Sequence, residues 1–149
     1  MDNEQNKDIF FMRSAIEEAR EAFSKGEVPI GAVIVNKGRV IARGHNMTET
    51  LGDPTAHAEM QAITSATNAT GGKYLNDSIM YVTVEPCPMC AAACYWAQIG
   101  EIVYGTADTK RGYTTLNPAL VHPKTKVRNG VLKDECEDIM TRFFHKLRK

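Results

Sequence analysis

The stretch that decides the fold is SIMYVTVEPCPMCAAACYWAQ, residues 78–98. Its first part, residues 78–85, is rich in β-branched and aromatic side chains, which predicts a strand. Residues 88–98 are almost continuously apolar and predict a helix, and residues 101–106 predict another strand. A strand that leads into a helix and then into a second strand is typical of an α/β domain.

The segments before this stretch extend the alternation. Apolar residues recur every three or four positions over residues 8–25 and stop at Gly26, where a left-handed C-cap is expected, so this segment predicts a helix. Residues 30–35 and 39–43 flank the turn sequence Asn36-Lys37-Gly38 and predict a β-hairpin. Two polar segments, residues 45–54 and 68–77, are expected to be loops.

Two more helices complete the predicted fold. One is expected at about residues 56–67, capped by Asp53 or Thr55, and the last at about residues 134–148. This order of elements predicts an α/β/α layered domain around a mixed sheet. Because no repeat, low-complexity tract or linker interrupts the chain, we expect residues 1–149 to form one domain.

The composition indicates an ordinary globular protein. With 149 residues, 43% of them apolar, the chain can bury about two-thirds of its unfolded surface, so it needs neither disulfides nor a structural metal. The N-terminus is polar and acidic, and no apolar stretch approaches the roughly 18 residues of a membrane span. We therefore expect a cytoplasmic protein, with no membrane contact, whose four cysteines are thiols, catalytic groups or metal ligands.

The charges are balanced in number but not in position. The 18 Lys and Arg residues equal the 18 Asp and Glu residues, which excludes a wholesale electrostatic binder of nucleic acid. Acids dominate residues 1–28, whereas residues 109–133 and 141–149 contain bases and no acid. Such runs are typical of a solvated surface and a basic helix end, or of a local surface that faces phosphates.

Two short motifs have spacings that suit one metal ion: His57-Ala58-Glu59 and Pro86-Cys87-Pro88-Met89-Cys90. Both lie where a predicted helix begins, and the positive potential of a helix N-terminus favours the thiolate that zinc requires. Cys87 and Cys90 are three residues apart on one helical turn, so they can occupy two corners of a tetrahedron. His57 can supply the third corner.

The fourth ligand distinguishes a structural zinc site from a catalytic one. Closure by Cys94, Cys136 or His45 would make a structural site, but Cys94 lies in an apolar run where cysteine usually acts as a small core residue. Glu59, two residues from a ligand, can accept a proton from a water whose pKa zinc lowers to about 7. The pattern favours a catalytic site over a structural or a redox one.

The H-x-E motif followed by P-C-x-x-C is the known signature of zinc-dependent nucleobase deaminases, a group that includes the tRNA adenosine deaminases. The sequence resembles bacterial tRNA adenosine deaminases over most of its length. The matching stretches are residues 27–33, 44–46, 53–59, 75–90, 99–100 and 130–136, together with Phe143-Phe144 and the basic tail. The resemblance implies a cytidine deaminase-like fold, a three-layer α/β/α sandwich with a central mixed five-stranded sheet.

The resemblance also implies an activity: hydrolytic deamination of adenosine to inosine in RNA, at the wobble position of a tRNA anticodon. One zinc ion per subunit would be held by His57, Cys87 and Cys90. Glu59 would carry a proton from the attacking water to N1 of adenine and then to the departing amine. The implied partners are an anticodon stem-loop and a second subunit, since the family works as a homodimer.

Further site residues follow from the same resemblance. The implied substrate-binding set is Val28, Pro29, Asn46, Ala58, Pro86 and Asp108. The residues expected to contact RNA are Lys110, Arg111, Arg142, Phe144, Lys146 and Arg148. Without the family, Asn46 is typical of a turn, Asp108 of a strand end, and the phenylalanine pair of helix packing.

Two features depart from the family pattern. Residues 109–116 keep one glycine where the bacterial family usually has several small residues, which affects the expected RNA register. Tyr95-Trp96-Ala97 resembles guanine deaminases of the same superfamily, so a free-guanine deaminase is the alternative enzyme. A non-catalytic zinc module that binds RNA is the alternative from another class, and such a module has no use for Glu59.

Overall fold

The structure, a computed structural model, describes residues 3–148. Met1 and Asp2 of the acidic N-terminal run and Lys149 of the basic tail lie outside the described residues. The helices are α1 (Asn3–Ser24), α2 (Thr48–Leu51), α3 (Ala58–Thr70), α4 (Pro88–Ala97) and α5 (Lys133–Leu147). The strands are β1 (Gly31–Asn36), β2 (Arg39–His45), β3 (Ser78–Val84), β4 (Glu101–Thr106) and β5 (Lys126–Asn129), and two short 3-10 helices span Tyr113–Thr115 and Pro118–Leu120.

The five strands form one mixed sheet in the order β2-β1-β3-β4-β5. Strand β1 is antiparallel to both of its neighbours, whereas β3, β4 and β5 run parallel to one another. Strand β2 therefore points in the same direction as β3, so β2, β3, β4 and β5 all end at one edge of the sheet. Strand β1 begins at this edge, because Gly31 pairs with His45.

Helices cover both faces of the sheet, as strand alternation requires. On one face, α1 places Met12 and Ile16 against Val33, Tyr81 and Val103 of the sheet, and α5 adds Cys136. On the other face, α3 and α4 pack against the intervening residues of the same strands. These contacts involve Ala58, Ala62, Ala66, Cys94 and Ala97 against Ala32, Ile34, Met80, Val82 and Ile102. The predicted α/β/α sandwich with a mixed five-stranded sheet is confirmed.

Several element boundaries differ from the sequence prediction. Helix α1 begins at Asn3, five residues before its apolar stripe, and α2 lies within a segment predicted as loop. The predicted cap of α3 is wrong: the N-cap is His57, and Asp53 Oδ1 instead accepts hydrogen bonds from the amide and hydroxyl of Thr55. Helix α3 also continues to Thr70, where Gly71 provides a left-handed C-cap.

Strand β5 has no local sequence signal. Its residues are Lys-Val-Arg-Asn, with one apolar side chain, and it forms an edge of the sheet, where charged residues are common. It is a strand because it pairs with β4 from Glu101 to Tyr104. None of the helices among residues 3–148 combines the length and apolar character that a membrane crossing requires.

Gly44 allows α3 to lie directly on β2. A β-carbon at this position would overlap the backbone oxygen of Ala58 in the first turn of α3, beside His57 and Glu59. We predict that Gly44→Ala destabilises the protein by about 1–3 kcal/mol, because the helix must shift away from the sheet. Urea unfolding monitored by circular dichroism measures this difference. Gly72→Ala is the matched control, since open space surrounds Gly72 and the substitution is expected to be nearly neutral.

An ionic network around the buried Asp8 holds β5 to the rest of the fold. The Asp8 carboxylate of α1 accepts hydrogen bonds from the Arg128 guanidinium at 2.6 and 3.1 Å and from the Tyr81 hydroxyl at 2.8 Å. Arg128 Nε also donates to Glu101. Burial raises the pKa of Asp8, but the bonds from Arg128 and Tyr81 outweigh it, and the net pKa is lowered.

This network makes stability sensitive to acid. Because the pKa of Asp8 is lowered in the fold, its contribution is present above about pH 4 and is lost as the pH falls through the folded-state value. We predict that Asp8→Asn destabilises the protein by roughly 1–3 kcal/mol at pH 7 and that the difference from wild type shrinks at lower pH. Urea midpoints measured from pH 7 to pH 3 test this. A difference that stays constant with pH would contradict it.

Candidate active site

A cleft of about 880 Å³ opens at the edge where the strands end. Segments that follow β2, β3 and β4 contribute its walls, together with the residues before β1 and one face of α5. Clefts outside the carboxyl ends of strands are the usual ligand sites of α/β sheets. Both motifs singled out in the sequence lie at this cleft, since His57, Ala58, Glu59 and Cys87 line it.

The ends of two helices bring three metal-ligating side chains together. His57 is the N-cap of α3 and Cys87 is the N-cap of α4, both in extended backbone conformations, and Cys90 lies in the first turn of α4. The His57 Nδ1 atom is 3.6 Å from the Cys87 Sγ atom and 3.6 Å from the Cys90 Sγ atom. All three atoms lie within 4.8 Å of one another.

These distances fit a tetrahedral zinc ion. Zn–S bonds of about 2.3 Å and Zn–N bonds of about 2.0–2.1 Å, at the tetrahedral angle, place nitrogen and sulfur about 3.6 Å apart. One imidazole nitrogen and two thiolates are also the donors that zinc prefers. The chemistry and the geometry of the donor set therefore agree.

The electrostatics of the two cysteines favour a bound cation. The hydrogen bonds with the Cys90 thiol and with His57 together lower the pKa of Cys87 to about 4, against the opposing effect of burial. The same contact with Cys87, together with burial, raises the pKa of Cys90. A divalent cation compensates two neighbouring thiolates, so it allows both cysteines to ionise at once.

Glu59 lies beside this donor set with 3% of its surface exposed. Its pKa is raised to about 7, chiefly by burial and also by the nearby Cys87 sulfur, while a backbone hydrogen bond and His57 oppose the shift. A carboxyl group with a near-neutral pKa can both accept and release a proton, which is the property of a general acid–base catalyst. Glu59 also lines the cleft, so a bound molecule can reach it.

The residues that could have closed a structural zinc site lie elsewhere. Cys94 is buried with its Sγ atom 4.0 Å from the Met80 Sδ atom, and His45 binds Glu18. Cys136 lies in the core cluster on the opposite face of the sheet. Among residues 3–148, the three-ligand group described above is the only set of His, Cys, Asp or Glu side chains with metal-binding spacing.

Most of the implied substrate-binding residues line the cleft: Val28, Asn46, Ala58 and Asp108. Two hydrogen bonds hold Asn46 there. Its backbone N–H donates to the Ile30 carbonyl, and its side-chain Oδ1 atom accepts from the Thr48 backbone N–H at 3.3 Å. Pro29 and Pro86 do not line the cleft and are fully buried next to residues that do.

The residues expected to contact RNA divide into two groups. Lys110, Arg111, Phe144 and Arg148 line the cleft. Arg142 and Lys146 do not line the cleft: Arg142 pairs with Asp138 on the exposed side of α5, and the Lys146 ammonium lies 5.6 Å from the centre of the Phe23 ring. The neighbouring Phe143 is buried and packs on that same ring, as its helix-packing interpretation predicts.

Sequence reasoning missed two buried glutamates that order the walls of the cleft. Glu27 accepts hydrogen bonds from the amides of Glu49 and Thr50 and from the hydroxyls of Thr48 and Thr50, so it holds α2. Glu85 holds the segment after β4 in a similar way. The available signal was an acid next to apolar residues and a proline, as in Glu27-Val28-Pro29 and Glu85-Pro86.

One face of α5 was also missed as part of the cleft. Glu137, Met140 and Thr141 line it together with Phe144 and Arg148, at the three- and four-residue spacing of a helical stripe. Because this stripe mixes polar and apolar residues, a search for a continuous apolar helix face does not find it.

Comparison with known proteins identifies the family. Residues 5–106 match the family described as the cytidine and deoxycytidylate deaminase zinc-binding region. The tRNA-specific adenosine deaminase of Bacillus subtilis is 43% identical over 148 residues, which covers 96% of this chain and 92% of the relative. The tRNA-specific adenosine deaminase of Aquifex aeolicus is 40% identical over 144 residues and covers 93% of this chain and 95% of the relative.

Solved structures agree with the sequence matches. A structure from a study of A-to-I editing by tRNA:A34 deaminases at the wobble position superimposes with a TM-score of 0.81 at 43% identity, covering 87% of this chain and 98% of that one. The guanine deaminase of Bacillus subtilis superimposes with a TM-score of 0.66 at 36% identity, covering 83% and 82%. The chain therefore belongs to the cytidine and deoxycytidylate deaminase family and, within it, to the tRNA-specific adenosine deaminases.

Proposed function

We propose that the protein is a zinc-dependent hydrolase that converts adenosine to inosine at the wobble position of a tRNA anticodon, with release of ammonia. The observation that carries this function is a buried glutamate, Glu59, that opens on a cleft directly beside a His-Cys-Cys donor set. Relatives named tRNA-specific adenosine deaminases cover nearly the whole chain.

We assign His57, Cys87 and Cys90 as the ligands of one zinc ion per subunit. The metal-ligand geometry of their donor atoms supports this assignment. When bound in a site with three protein ligands and an open fourth position, zinc lowers the pKa of a water to about 7 and so supplies a nucleophile at neutral pH.

Glu59 moves the protons of the reaction. Its carboxylate accepts a proton from the attacking water and delivers it to N1 of the adenine, which makes C6 more electrophilic. After the water oxygen has bonded to C6, the same carboxylate takes the second proton from the new C6 hydroxyl and passes it to the amine. The C6–N bond then breaks, so the products are inosine and ammonia. Its near-neutral pKa suits both transfers, because neither protonation state is strongly favoured.

The cleft selects an extruded base. Its volume of about 880 Å³ is within the range of small-molecule sites, and the target base must leave its stack to enter. We propose that Val28 and Ala58 contact the purine and that Asn46 hydrogen-bonds it. Pro29 and Pro86 would act from behind the cleft, by supporting the lining residues next to them. Asp108, on the opposite wall, would contact the ribose or backbone of the same nucleotide.

The rim of the cleft suits a polyanion. Lys110, Arg111 and Arg148 border it, and Phe144 is 39% exposed there, which suits stacking on an unpaired base. We assign Arg142 and Lys146 to RNA contacts further from the reacting base, because both lie on α5 outside the cleft.

We extend the proposal to the assembly and the setting. Residues 1–149 would form one deaminase domain that acts in the cytoplasm, where tRNA is modified and free thiols persist. The subunit would pair with a second copy. Exposed apolar side chains support pairing: Trp96 is 77% exposed, Leu116 is 69% exposed, and Tyr95 lies beside Trp96 on α4.

Free guanine is the second candidate substrate, because a guanine deaminase structure is 36% identical to this chain. The sequence feature that suggested it does not reach the site, however. Tyr95 and Trp96 lie on the outer part of α4 and do not line the cleft. A free base also makes no use of the Lys110 and Arg111 side chains on the rim.

We expect the zinc-loaded protein to form inosine in an anticodon stem-loop with a wobble adenosine and to leave guanine, free adenosine and cytidine unchanged. Mass spectrometry of the RNA and ammonia release from the small molecules measure the two outcomes. Turnover of guanine with an unmodified stem-loop would instead identify a free-base deaminase.

In the same assay, Glu59→Gln should lower the rate by at least about a hundredfold, the usual contribution of a general acid–base group. The variant should keep its zinc, since Glu59 is not among the assigned ligands. A variant that keeps its zinc and still deaminates at the wild-type rate would remove Glu59 from the reaction.

Cys87→Ala should lose zinc, because two ligands hold the ion far more weakly than three. Elemental analysis of the purified variant measures the zinc content directly. Cys94→Ala is the matched control: its thiol lies one helical turn beyond Cys90 on α4, against Met80, and zinc should be retained. Full zinc in Cys87→Ala would contradict the ligand assignment.

A further inference from the structure

The segment between β4 and the first 3-10 helix forms one wall of the cleft. Its residues 106–111 all line the cleft, and the exposed Lys110 and Arg111 lie at its tip. Among residues 3–148, no acidic side chain forms an ion pair with either base. These two unpaired cations can bind a phosphate group most effectively if the backbone that carries them is held in one position.

Glu85 grips the segment at both ends. Its side chain is buried at the end of β3, with 5% of the residue exposed. The Oε1 atom accepts a hydrogen bond from the Asp108 amide at 3.2 Å. The Oε2 atom accepts from the Thr114 amide at 3.0 Å and from the Thr114 hydroxyl at 2.7 Å. One carboxylate therefore closes residues 108–114 into a loop.

The backbone of the loop packs directly against the Glu85 carboxylate. A β-carbon on Gly112 would overlap the Glu85 carboxyl group, so the single glycine kept in this stretch stands where no side chain fits. Next to it, the Tyr113 side chain is buried and its amide donates to the Pro86 carbonyl at 2.9 Å. Glu85 and its neighbour thus form the floor on which the loop rests.

Asp108 transmits the position of Glu85 to the two bases. Its amide is held by Glu85, and its own Oδ1 atom accepts hydrogen bonds from the amides of Lys110 at 3.0 Å and Arg111 at 2.9 Å. The turn that carries both cations is therefore built on a residue whose place depends on the Glu85 carboxylate.

We propose that Glu85 is a positioning residue for RNA: it holds the 108–114 loop in the conformation that presents Lys110 and Arg111 to the phosphates flanking the extruded nucleotide. This inference rests on the proposed function, because it requires an RNA substrate. Glu85 acts through the loop and not on the reacting base. Ordering the loop in advance removes a free-energy cost that binding would otherwise carry.

The first test compares three variants in the stem-loop assay. Glu85→Gln keeps the shape but turns an NH2 donor toward one of the loop amides, so we expect KM to rise about tenfold, equivalent to ~1.4 kcal/mol, with kcat within about twofold of wild type. Thr114→Val removes one hydrogen bond on the exposed side of the loop and should raise KM about threefold. Thr114→Ser keeps the hydroxyl and is the matched control, with KM unchanged.

The salt dependence distinguishes loop positioning from general destabilisation. Each lost phosphate contact to a single strand lowers the slope of log KM against log salt by about 0.7, so Glu85→Gln should lower it by up to about 1.4. The double variant Lys110→Ala/Arg111→Ala should lower the slope as well. Adding Glu85→Gln to this double variant should not change its slope further. Glu101→Gln, at the far end of β4, controls for the loss of a partly buried carboxylate that binds Arg128, and it should leave the slope unchanged.

Amide hydrogen exchange tests whether Glu85 holds the 108–114 loop when no RNA is present. Protection of the Asp108 and Thr114 amides should fall at least about tenfold in Glu85→Gln, while the amides of β3 keep theirs. A wild-type KM and salt slope in both Glu85→Gln and Thr114→Val would overturn the inference, as would a fall in kcat at unchanged KM. If Glu85→Gln fails to fold, the comparison of KM between Thr114→Val and Thr114→Ser tests the inference.

The wild-type protein reports on the function itself. If it forms no inosine, the proposed activity is refuted. If it is active and the variants are unaffected, only the role of Glu85 is refuted.

Discussion

The three donor atoms of the metal site can meet only because two helices begin at the same edge of the sheet. Strand β3 ends directly before Cys87, and β2, which points the same way, ends before the segment that leads to His57. Each of these residues caps its helix, so neither side chain depends on a flexible loop for its position. The helix dipoles also converge there, and they favour the negative charge that the thiolates bring.

Three glutamates are buried around this edge, and their surroundings separate their roles. Burial raises the pKa of Glu27 but its four hydrogen bonds from residues 48–50 outweigh that effect and lower it, which suits a permanent anion that orders a wall. Glu85 likewise accepts bonds from backbone amides and a hydroxyl. For Glu59, burial dominates and raises the pKa to about 7, which suits a group that exchanges protons. The number of hydrogen bonds that each buried glutamate accepts thus separates a structural role from a catalytic one.

The parts of the molecule that sequence predicted are those with local signals. Helix α1 follows from apolar periodicity and α4 from its nearly continuous apolar run, and the Cys87–Cys90 spacing alone places both thiols on one helical turn. Strand β5 could not be found, because its four residues become a strand only through pairing with β4. The role of Glu85 was equally hidden, since its partners lie 23 and 29 residues further along the chain.

The His-Cys-Cys donor set and the exposed tip of the 108–114 loop belong to different elements of the fold. The ligands stand on helix ends, whereas residues 108–114 are fastened to the floor of the cleft by Glu85, Gly112 and Tyr113. Substitution of the exposed residues 109–111 changes neither the donor set nor Glu85, which holds the loop. Under the proposed function, such an exchange would alter which nucleic-acid strand the loop fits, while Glu59 and the three ligands stay the same.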